Sequence, residues 1–411
     1  MLTHITRRAA VIAGAALLVA AGQPVQAQDV KLGAILSATG GLARFVPPIR
    51  DGIRAAIEDV NANGGILNGR RVVLVEGDDQ TTPQGAVEAA NRLVNLEQVP
   101  AIVGPLGSGM LLAAANSVTI GAGVVLMSPS ATNPSITGLA DNDTVFRVVG
   151  GDDFQGKVLA KIARDRGLTR VAVMAEATDY ARGFVQHFVP EFQRRGGTVT
   201  QNMVVESNRA SYRSELATAA QGNPQALVLI AYPQSGGTTI TRQALEGGFF
   251  DTFVMSEGTR EGAFVREVGA ANLAKSFGTA SAEPPTDAGA LERYTAVYRR
   301  VSQADPNAPF VRQAYDAAMI LLLAMEAAKS TDRAAIKAAI RTVSNGPGEV
   351  VGPGEWARAK QLLAAGTKIN YQGISGNHEF DAAGDVAGYV GIWSVAAPDQ
   401  TPFGSYVNSL D

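Results

Sequence analysis

Residues 101–109 have the sequence AIVGPLGSG, in which a short apolar run leads into a turn rich in glycine. An uninterrupted apolar run of this length is typical of a strand that is covered on both faces of a sheet. The glycines indicate a tight turn, and Ser108 lies where the next helical pattern begins. A strand followed by a turn and a helix is the repeating unit of parallel α/β folds.

The same alternation extends on both sides of this stretch and then starts again. Val30 to Ser37 and Arg71 to Glu76 are predicted strands, and Pro48 to Ala62 has apolar residues at helical spacing. Four more strands, each followed by a helix, are predicted between Val171 and Val268. Two such runs predict an α/β protein with two similar lobes, each a doubly wound parallel sheet covered by helices on both faces.

The first 27 residues have the features of an export signal. Arg7 and Arg8 precede an uncharged run from Ala9 to Ala21, which is too short to span a bilayer. Small residues at positions 25 and 27 fit a cleavage site before Gln28. The paired arginines leave both the secretory and the twin-arginine export routes open. We therefore expect a periplasmic protein.

The composition excludes several classes of function. The chain has 35 Lys and Arg against 38 Asp and Glu, so it lacks the basic surplus of a nucleic-acid-binding protein. It has no cysteine, which excludes disulfides, thiolate metal sites and cysteine nucleophiles. It has three histidines, too few and too dispersed for a site built from several of them. We expect no metal and no cofactor.

One motif is misleading. Residues 151–157, GDDFQGK, have the spacing of a phosphate-binding loop, but Val158 follows where that loop needs a serine or threonine for Mg²⁺. Asp152 and Asp153 would also repel a phosphate group. We therefore interpret this segment as the start of a helix capped by aspartate.

The loops at the carboxyl ends of the predicted strands are where ligands bind in open parallel sheets. They contain hydroxyl groups, glycines, aromatic side chains and one acid, Glu257. They lack a nucleophile with a base beside it, since His187 lies on a predicted helix and His378 near the C-terminus. The sequence therefore predicts a binding protein and not an enzyme. The loops in question are residues 37–45, 104–109, 128–133, 177–180, 232–236 and 256–259.

These loops resemble those of the leucine/isoleucine/valine-binding protein family, the extracytoplasmic solute-binding subunits of ABC importers for branched-chain amino acids. The resemblance extends from Val30 to Val395 and rests on the following segments: Gly64-Gly65, Gly77-Asp78-Asp79-Gln80, Ile102-Val103-Gly104-Pro105, Ser128-Pro129-Ser130-Ala131-Thr132, Glu257-Gly258, Tyr315-Asp316-Ala317 and Phe380-Asp381-Ala382-Ala383-Gly384-Asp385. It implies the type I periplasmic binding protein fold, with two lobes joined by a three-crossing hinge. Lobe one would comprise residues 28–147 and 283–384, and lobe two residues 150–278 and 386–411.

The resemblance also implies a site for an amino acid between the lobes. Ser108 and Thr132 match hydroxyls that bind the ligand carboxylate, and the start of a helix at Ser108 would add free backbone N–H groups. Ser130 matches a residue whose carbonyl accepts from the ligand ammonium, and Glu257 matches the acid that pairs with that ammonium.

The remaining ligand-binding residues implied by the resemblance are apolar or aromatic. Ala131 lies between Ser130 and Thr132, Tyr180 matches an aromatic residue at the cleft of lobe two, and Phe45 falls where the family often has a tyrosine lid. A second tyrosine of lobe two aligns with Pro233, so Tyr232 beside it is the candidate here.

Other functions remain open at this stage. Relatives with this fold bind amides, urea or aromatic acids, and some serve as ligand sensors. A secreted hydrolase would need a base near Ser108. The expected partners are a small amino acid and the membrane permease of an ABC importer, with no nucleic acid, and we expect a monomer.

Overall fold

Two parallel sheets carry the fold in the computed structural model, which describes residues 28–282, 288–397 and 399–410. The predicted export signal, residues 1–27, lies outside the described residues. The strands are β1 (Val30–Leu36), β2 (Val72–Asp78), β3 (Ala101–Val103), β4 (Val125–Ser128), β5 (Val145–Arg147), β6 (Arg170–Glu176), β7 (Thr198–Val205), β8 (Ala226–Ile230), β9 (Phe253–Met255), β10 (Phe277–Ser281), β11 (Glu349–Val351), β12 (Ile369–Gly373), β13 (Gly376–Asn377), β14 (Val390–Ser394) and β15 (Phe403–Val407).

Helices cover both faces of each sheet. They are α1 (Val46–Ala62), α2 (Pro83–Asn91), α3 (Ser108–Ala114), α4 (Ile120–Ala122), α5 (Asp152–Asp165), α6 (Asp179–Arg194), α7 (Arg213–Ala219), α8 (Thr238–Glu246), α9 (Gly262–Val268), α10 (Ala288–Tyr298), α11 (Val311–Ala328), α12 (Arg333–Ser344) and α13 (Trp356–Ala364). None of the helices in the described ranges is long and apolar enough to cross a membrane.

The two sheets repeat one topology. The first has the strand order β2-β1-β3-β4-β5, and all of its pairings are parallel. The second contains the corresponding order β7-β6-β8-β9-β10, also parallel, with β14 and β15 added antiparallel beyond β10. This confirms two doubly wound lobes, and in such sheets the ligand crevice lies where the strand order reverses.

The first lobe is stabilised by helices whose buried faces agree with the sequence. Ile49, Ile53, Ile57 and Val60 of α1 are buried, as their helical spacing predicts. Helix α1 packs against α11, whose residues 314–325 are all buried. Helix α11 is therefore the central helix of this lobe.

The chain passes between the lobes after β5, after β10 and before β14. The crossings lie side by side, since Gly150 N donates to Ser281 Oγ (3.1 Å) and Ala282 N donates to Tyr389 O (2.9 Å). This confirms the three-crossing hinge. The exact lobe boundaries stay a prediction; strand β10 of the second sheet extends to Ser281, and residues 283–287 at one crossing lie outside the described ranges.

Candidate functional site

All eight predicted ligand-binding residues follow the carboxyl end of a parallel strand. Phe45 follows β1 and Ser108 follows β3, while Tyr180, Tyr232 and Glu257 follow β6, β8 and β9 of the second lobe. The other three, residues 130–132, follow β4. These ends face one another across the cleft because both sheets have the same strand order.

The lobes touch across this cleft, so the structure is a closed arrangement. The backbone N–H of Arg44 donates to Gln234 Oε1 (3.0 Å), and the guanidinium of Arg44 lies 2.7 Å from a carboxylate oxygen of Glu267. Deeper in the cleft, Asn133 Nδ2 donates to the carbonyl oxygen of Asp179. These contacts join loops of the first lobe to loops and helices of the second.

A mostly apolar cavity lies between the lobes, with about 370 Å³ of space free of protein atoms. Five of the eight predicted residues line it, and the complete lining is Leu42, Phe45, Ile49, Leu106, Ser130, Tyr180, Tyr232, Glu257, Gly258 and Phe310. The cavity therefore offers an apolar wall with one acid, a composition suited to a ligand with an apolar body and a cationic end.

Two tyrosines form one wall of the cavity. The rings of Tyr180 and Tyr232 stack with centroids 5.4 Å apart and planes inclined by 13°. The hydroxyl of Tyr180 donates to Ser256 Oγ at 2.6 Å, which holds its ring in place. Gly258 allows the close packing, because a Cβ there would lie 2.9 Å from the carbonyl oxygen of Ala231 and 3.4 Å from both rings.

Two buried acids lie at the polar end of the site. Glu257 is 4% exposed and Asp152 is fully buried. Burial raises the pKa of Glu257 to about 7, although hydrogen bonds from Gln155 and nearby hydroxyls act in the opposite direction. Burial, and then the charge of Glu257, raise the pKa of Asp152 well above its usual range. Each acid would therefore be stabilised by a positive group between them.

Several acceptor atoms at this end have no donor among the described residues. Gln155 Nε2 donates to Glu257 Oε2 and, at 3.3 Å, to the carbonyl oxygen of Thr279. Gln155 Oε1 and Asp152 Oδ1 are buried without a partner in the described ranges. Buried polar atoms are almost always hydrogen-bonded in folded proteins. These oxygens therefore point to a donor that the described residues do not supply.

The predicted hydroxyl residues occupy different environments. Ser108 Oγ accepts from the backbone N–H of Asn133 (3.2 Å), and within the described ranges its own proton has no acceptor. Ser130 Oγ donates to the carbonyl oxygen of Leu106 (2.9 Å). Thr132 Oγ1 donates to Asp152 Oδ2 at 2.8 Å. Because that proton is already used, Thr132 presents acceptor lone pairs to the cleft, which differs from the donor role expected for it.

Ala131 contributes to the site through packing. It is fully buried, and its backbone N–H donates to Ser128 Oγ at 3.0 Å. Its N–H group is therefore already hydrogen-bonded to the protein, whereas the hydroxyl proton of Ser108 has no acceptor among the described residues.

Sequence reasoning missed Asp152 and Phe310. The expectation that an aspartate caps the helix at residues 151–157 is wrong for Asp152, because α5 begins at Asp152 and its cap, Gly151, makes no side-chain bond. The Asp152 side chain bonds Thr132 instead. Four residues separate the end of β5 from the start of α5. A prediction of β5 would therefore have placed Asp152 next to a strand-end loop.

The one serine–histidine–aspartate cluster found in the described ranges is structural. His378 Nε2 lies 3.1 Å from Asp316 Oδ2 and 3.3 Å from Ser375 Oγ, so a single ring nitrogen serves both contacts. A triad needs the two ring nitrogens to contact different partners. The parts of the chain that the structure describes also contain no group of three or more His, Cys, Asp or Glu side chains that could hold a metal ion.

Comparisons with known proteins agree with this geometry. The family model described as periplasmic binding protein matches residues 29–367. The chain belongs to this family. The periplasmic binding proteins similar to it include the leucine-specific-binding protein of Salmonella typhimurium, 26% identical over 354 residues that cover 85% of this chain and 92% of that protein. The resemblance found in the sequence is thereby confirmed.

Two further relatives extend the comparison. The crystal structure of the leucine-binding protein LivK of Thermotoga maritima has a TM-score of 0.78 at 28% identity, covering 92% of this chain and 99% of that chain. The chemotactic signal transduction system substrate-binding protein BasB of Halobacterium salinarum is 30% identical over 395 residues, covering 90% of this chain and 87% of that protein. By name these relatives are binding proteins, in agreement with the prediction that the chain is a solute-binding protein and not an enzyme.

Proposed function

We propose that this periplasmic binding protein captures an amino acid with an apolar side chain and delivers it to the permease of an ABC importer. The observation that carries the proposal is the buried pair Asp152 and Glu257, beside oxygen atoms that lack a donor. An ammonium group supplies three donors and a positive charge, which would satisfy these oxygens and compensate the two acids.

Three groups would bind the ammonium. Glu257 would pair with it, Thr132 would accept from it through a lone pair, and the carbonyl of Ser130 would be the third acceptor. The hydrogen bond from Thr132 to Asp152 supports this role, because it orients the lone pairs of Thr132 away from Asp152. In this proposal Asp152 acts through Thr132 and through its own charge.

The carboxylate would lie near Ser108. Its hydroxyl proton is free within the described ranges, and Ser108 is the first residue of α3, where backbone N–H groups lack acceptors inside the helix. The ligand side chain would occupy the apolar cavity, against Phe45, Phe310 and the tyrosine wall. The names of the leucine-binding relatives support an aliphatic side chain.

Export and lobe organisation complete the proposal. Residues 1–27 would direct the chain to the periplasm and be removed before Gln28. Lobe one would comprise residues 28–147 and 283–384, lobe two residues 150–278 and 386–411, and the mature protein would be a monomer with the permease as its membrane partner. Mass spectrometry of the exported protein and sedimentation of the purified protein test these statements directly.

The test of the ligand class is calorimetry on the purified mature protein with three matched compounds. Leucine carries both charged groups, 4-methylpentanoate lacks the ammonium, and 3-methylbutylamine lacks the carboxylate. We expect leucine to bind at least about 30-fold more tightly than either analogue, since each analogue lacks a charged group that the buried site would bind. Mass spectrometry of small molecules released by denaturation identifies the natural ligand independently.

Two results would favour other ligands. If 4-methylpentanoate binds as tightly as leucine, the ammonium assignment is refuted and an acid without an amino group, such as an aromatic acid, becomes the better candidate. If leucinamide matches leucine, the site takes an amide or a urea-like ligand, because an amide lacks the charge that Ser108 would recognise.

Chemosensing is a second candidate function. The similarity to the chemotactic protein BasB over 90% of this chain supports it. Both functions use the same ligand and differ in the membrane partner. Crosslinking of the ligand-bound protein in its own membranes would recover permease subunits in the first case and a signalling receptor in the second.

A further inference from the structure

A second cavity adjoins the proposed amino-acid site. It shares Glu257 and Phe310 with the apolar cavity, and it has about 880 Å³ of space free of protein atoms. Its lining is much more polar and includes two arginines, Arg260 and Arg312, which come from lobe two and lobe one respectively. We define these two residues and the space between them as the arginine cavity.

Arg260 is a half-buried charged group. Its guanidinium carbon lies 3.9 Å from the centroid of the Phe403 ring, and its Nε donates to the carbonyl oxygen of Thr401 at 3.1 Å. Burial lowers its pKa to about 10, an effect that Tyr406 and Asp305 oppose. Arg260 therefore keeps its charge at neutral pH, yet within the described ranges it forms no salt bridge.

Arg312 lies on the opposite wall with a buried donor unused. It is the second residue of α11, and its Nη2 donates to Asn307 Oδ1 at 2.5 Å. Its Nε is buried and has no acceptor in the described part of the chain. As with Arg260, no carboxylate pairs with it among those residues.

Arg147 shows how a buried guanidinium is compensated elsewhere in this protein. Arg147 is 1% exposed, and its guanidinium lies 2.6 to 2.7 Å from both carboxylate oxygens of Asp385. A buried guanidinium is costly unless an anion compensates it. The one acid in the lining, Glu257, forms no salt bridge with Arg260 or Arg312, and neither does any other carboxylate of the described residues. The two guanidinium groups therefore favour an anion bound between them.

We propose that the arginine cavity is a subsite for a carboxylate group. The carboxylate has two possible sources, the distal end of a dicarboxylic amino acid bound in the cleft, or a free carboxylate anion beside a neutral amino acid. The first source rests on the ammonium site of the proposed function and replaces the apolar side chain with an acidic one, because the ligand would then span from Glu257 to Arg260 and Arg312. The second does not depend on it.

The experiment compares acids with their amides and also uses acetate. Calorimetry measures binding of aspartate, glutamate and 2-aminoadipate, each against the amide of its distal acid. Thermal unfolding in a series of sodium acetate concentrations tests the free anion. We expect one of two results: at least one acid binds about tenfold more tightly than its amide, or acetate raises the melting temperature. The variants Arg260→Met and Arg312→Met lose that effect, whereas Arg260→Lys keeps part of it.

Arg166→Met is the matched control. The guanidinium of Arg166 also stacks on an aromatic ring, 4.1 Å from the centroid of Phe277, but it does not line the arginine cavity. This variant should respond to every compound as wild type does. The subsite is refuted if wild type binds no acid more tightly than its amide and if acetate changes the melting temperature of wild type and of Arg260→Met equally. Failure of all amino acids to bind, with an acetate effect that needs both arginines, would refute the proposed function alone.

Discussion

The raised pKa of Glu257 makes ligand binding depend on pH. A ligand ammonium pairs with the ionised carboxylate, while burial raises the pKa of this acid to about 7 in the empty site. Below that pH, binding must first remove a proton. Leucine keeps both of its charges between pH 5 and pH 8, so the dependence arises from the protein. Affinity should therefore fall as the solution is acidified.

The size of the effect follows from the fraction of Glu257 that is ionised. With a pKa of about 7, Glu257 is ionised in roughly one molecule in 100 at pH 5. The dissociation constant for leucine should therefore rise about 100-fold from pH 8 to pH 5, which corresponds to a loss of about 2.7 kcal/mol of binding free energy. Calorimetry at pH 6 in two buffers of different ionisation enthalpy should show release of about 0.9 proton per ligand. Asp152, whose pKa is also raised, makes the profile steeper.

Two variants isolate the cause. Glu257→Gln should weaken leucine binding at pH 8 by roughly 30-fold or more and flatten the profile. Glu191→Gln is the control, because Arg194 and Arg195 bind Glu191 and hold its pKa below its usual range. A wild-type affinity that stays constant from pH 5 to pH 8, with the protein folded throughout, would refute the reasoning.

Three further predictions follow from the same geometry. Calorimetry should show that Ser108→Ala weakens leucine binding by about 1.5–3 kcal/mol, or about 10- to 150-fold, and leaves the affinity for 3-methylbutylamine unchanged. An equal loss of affinity for both compounds would contradict the carboxylate role of Ser108. Gly41→Leu should hinder closure, since a Cβ at Gly41 would lie 3.1 Å from Ser235 of the other lobe. X-ray scattering with leucine should therefore give a larger radius of gyration for this variant than for the control Gly121→Leu, because nothing lies within 4 Å of a Cβ at Gly121. Without ligand, Glu257→Gln should be more stable than wild type at pH 8 by up to about 3 kcal/mol. The raised pKa of Glu257 means that wild type loses stability as the pH rises from about 4.5 through about 7. Urea unfolding should show that the difference in stability disappears below about pH 4.5.

Most of the fold could be predicted from the sequence because the alternation of apolar strands and helices is regular. The helices of the first lobe show this well, since the spacing of Ile49, Ile53 and Ile57 gives both the helix and its buried face. Strands β5 and β11 were not predicted, because β5 ends in the charged Arg147 and β11 has two exposed residues out of three, so neither is an uninterrupted apolar run like β3 or β9. Strand β15 pairs at the edge of the second sheet and has mostly exposed or half-buried residues, so its pattern is weak.

The candidate site was predictable where its residues follow strands that the sequence pattern predicts. The family resemblance and the strand-end rule together bring Tyr180, Tyr232 and Glu257 to one cavity, where the structure also has them. Phe310 was not predictable in this way, because it precedes a helix of the first lobe and adopts a left-handed backbone with φ of 65°, which is rare for a bulky side chain. Its contribution to the cavity depends on tertiary packing that no local pattern encodes.

The position of Asp152 connects ligand charge to the hinge. Asp152 opens α5, directly after the crossing that follows β5, and it bonds Thr132 of the first lobe through both its side chain and its backbone N–H (2.9 Å to the Thr132 carbonyl oxygen). In the closed arrangement both lobe-two acids of the site, Asp152 and Glu257, are buried, which is unfavourable without a cation because burial raises the pKa of each and the charge of Glu257 raises that of Asp152 further. An ammonium between them removes that cost in the closed form alone. The proposed ligand therefore shifts the hinge towards closure by its charge, and a neutral molecule of the same shape would fill the cavity without the same effect.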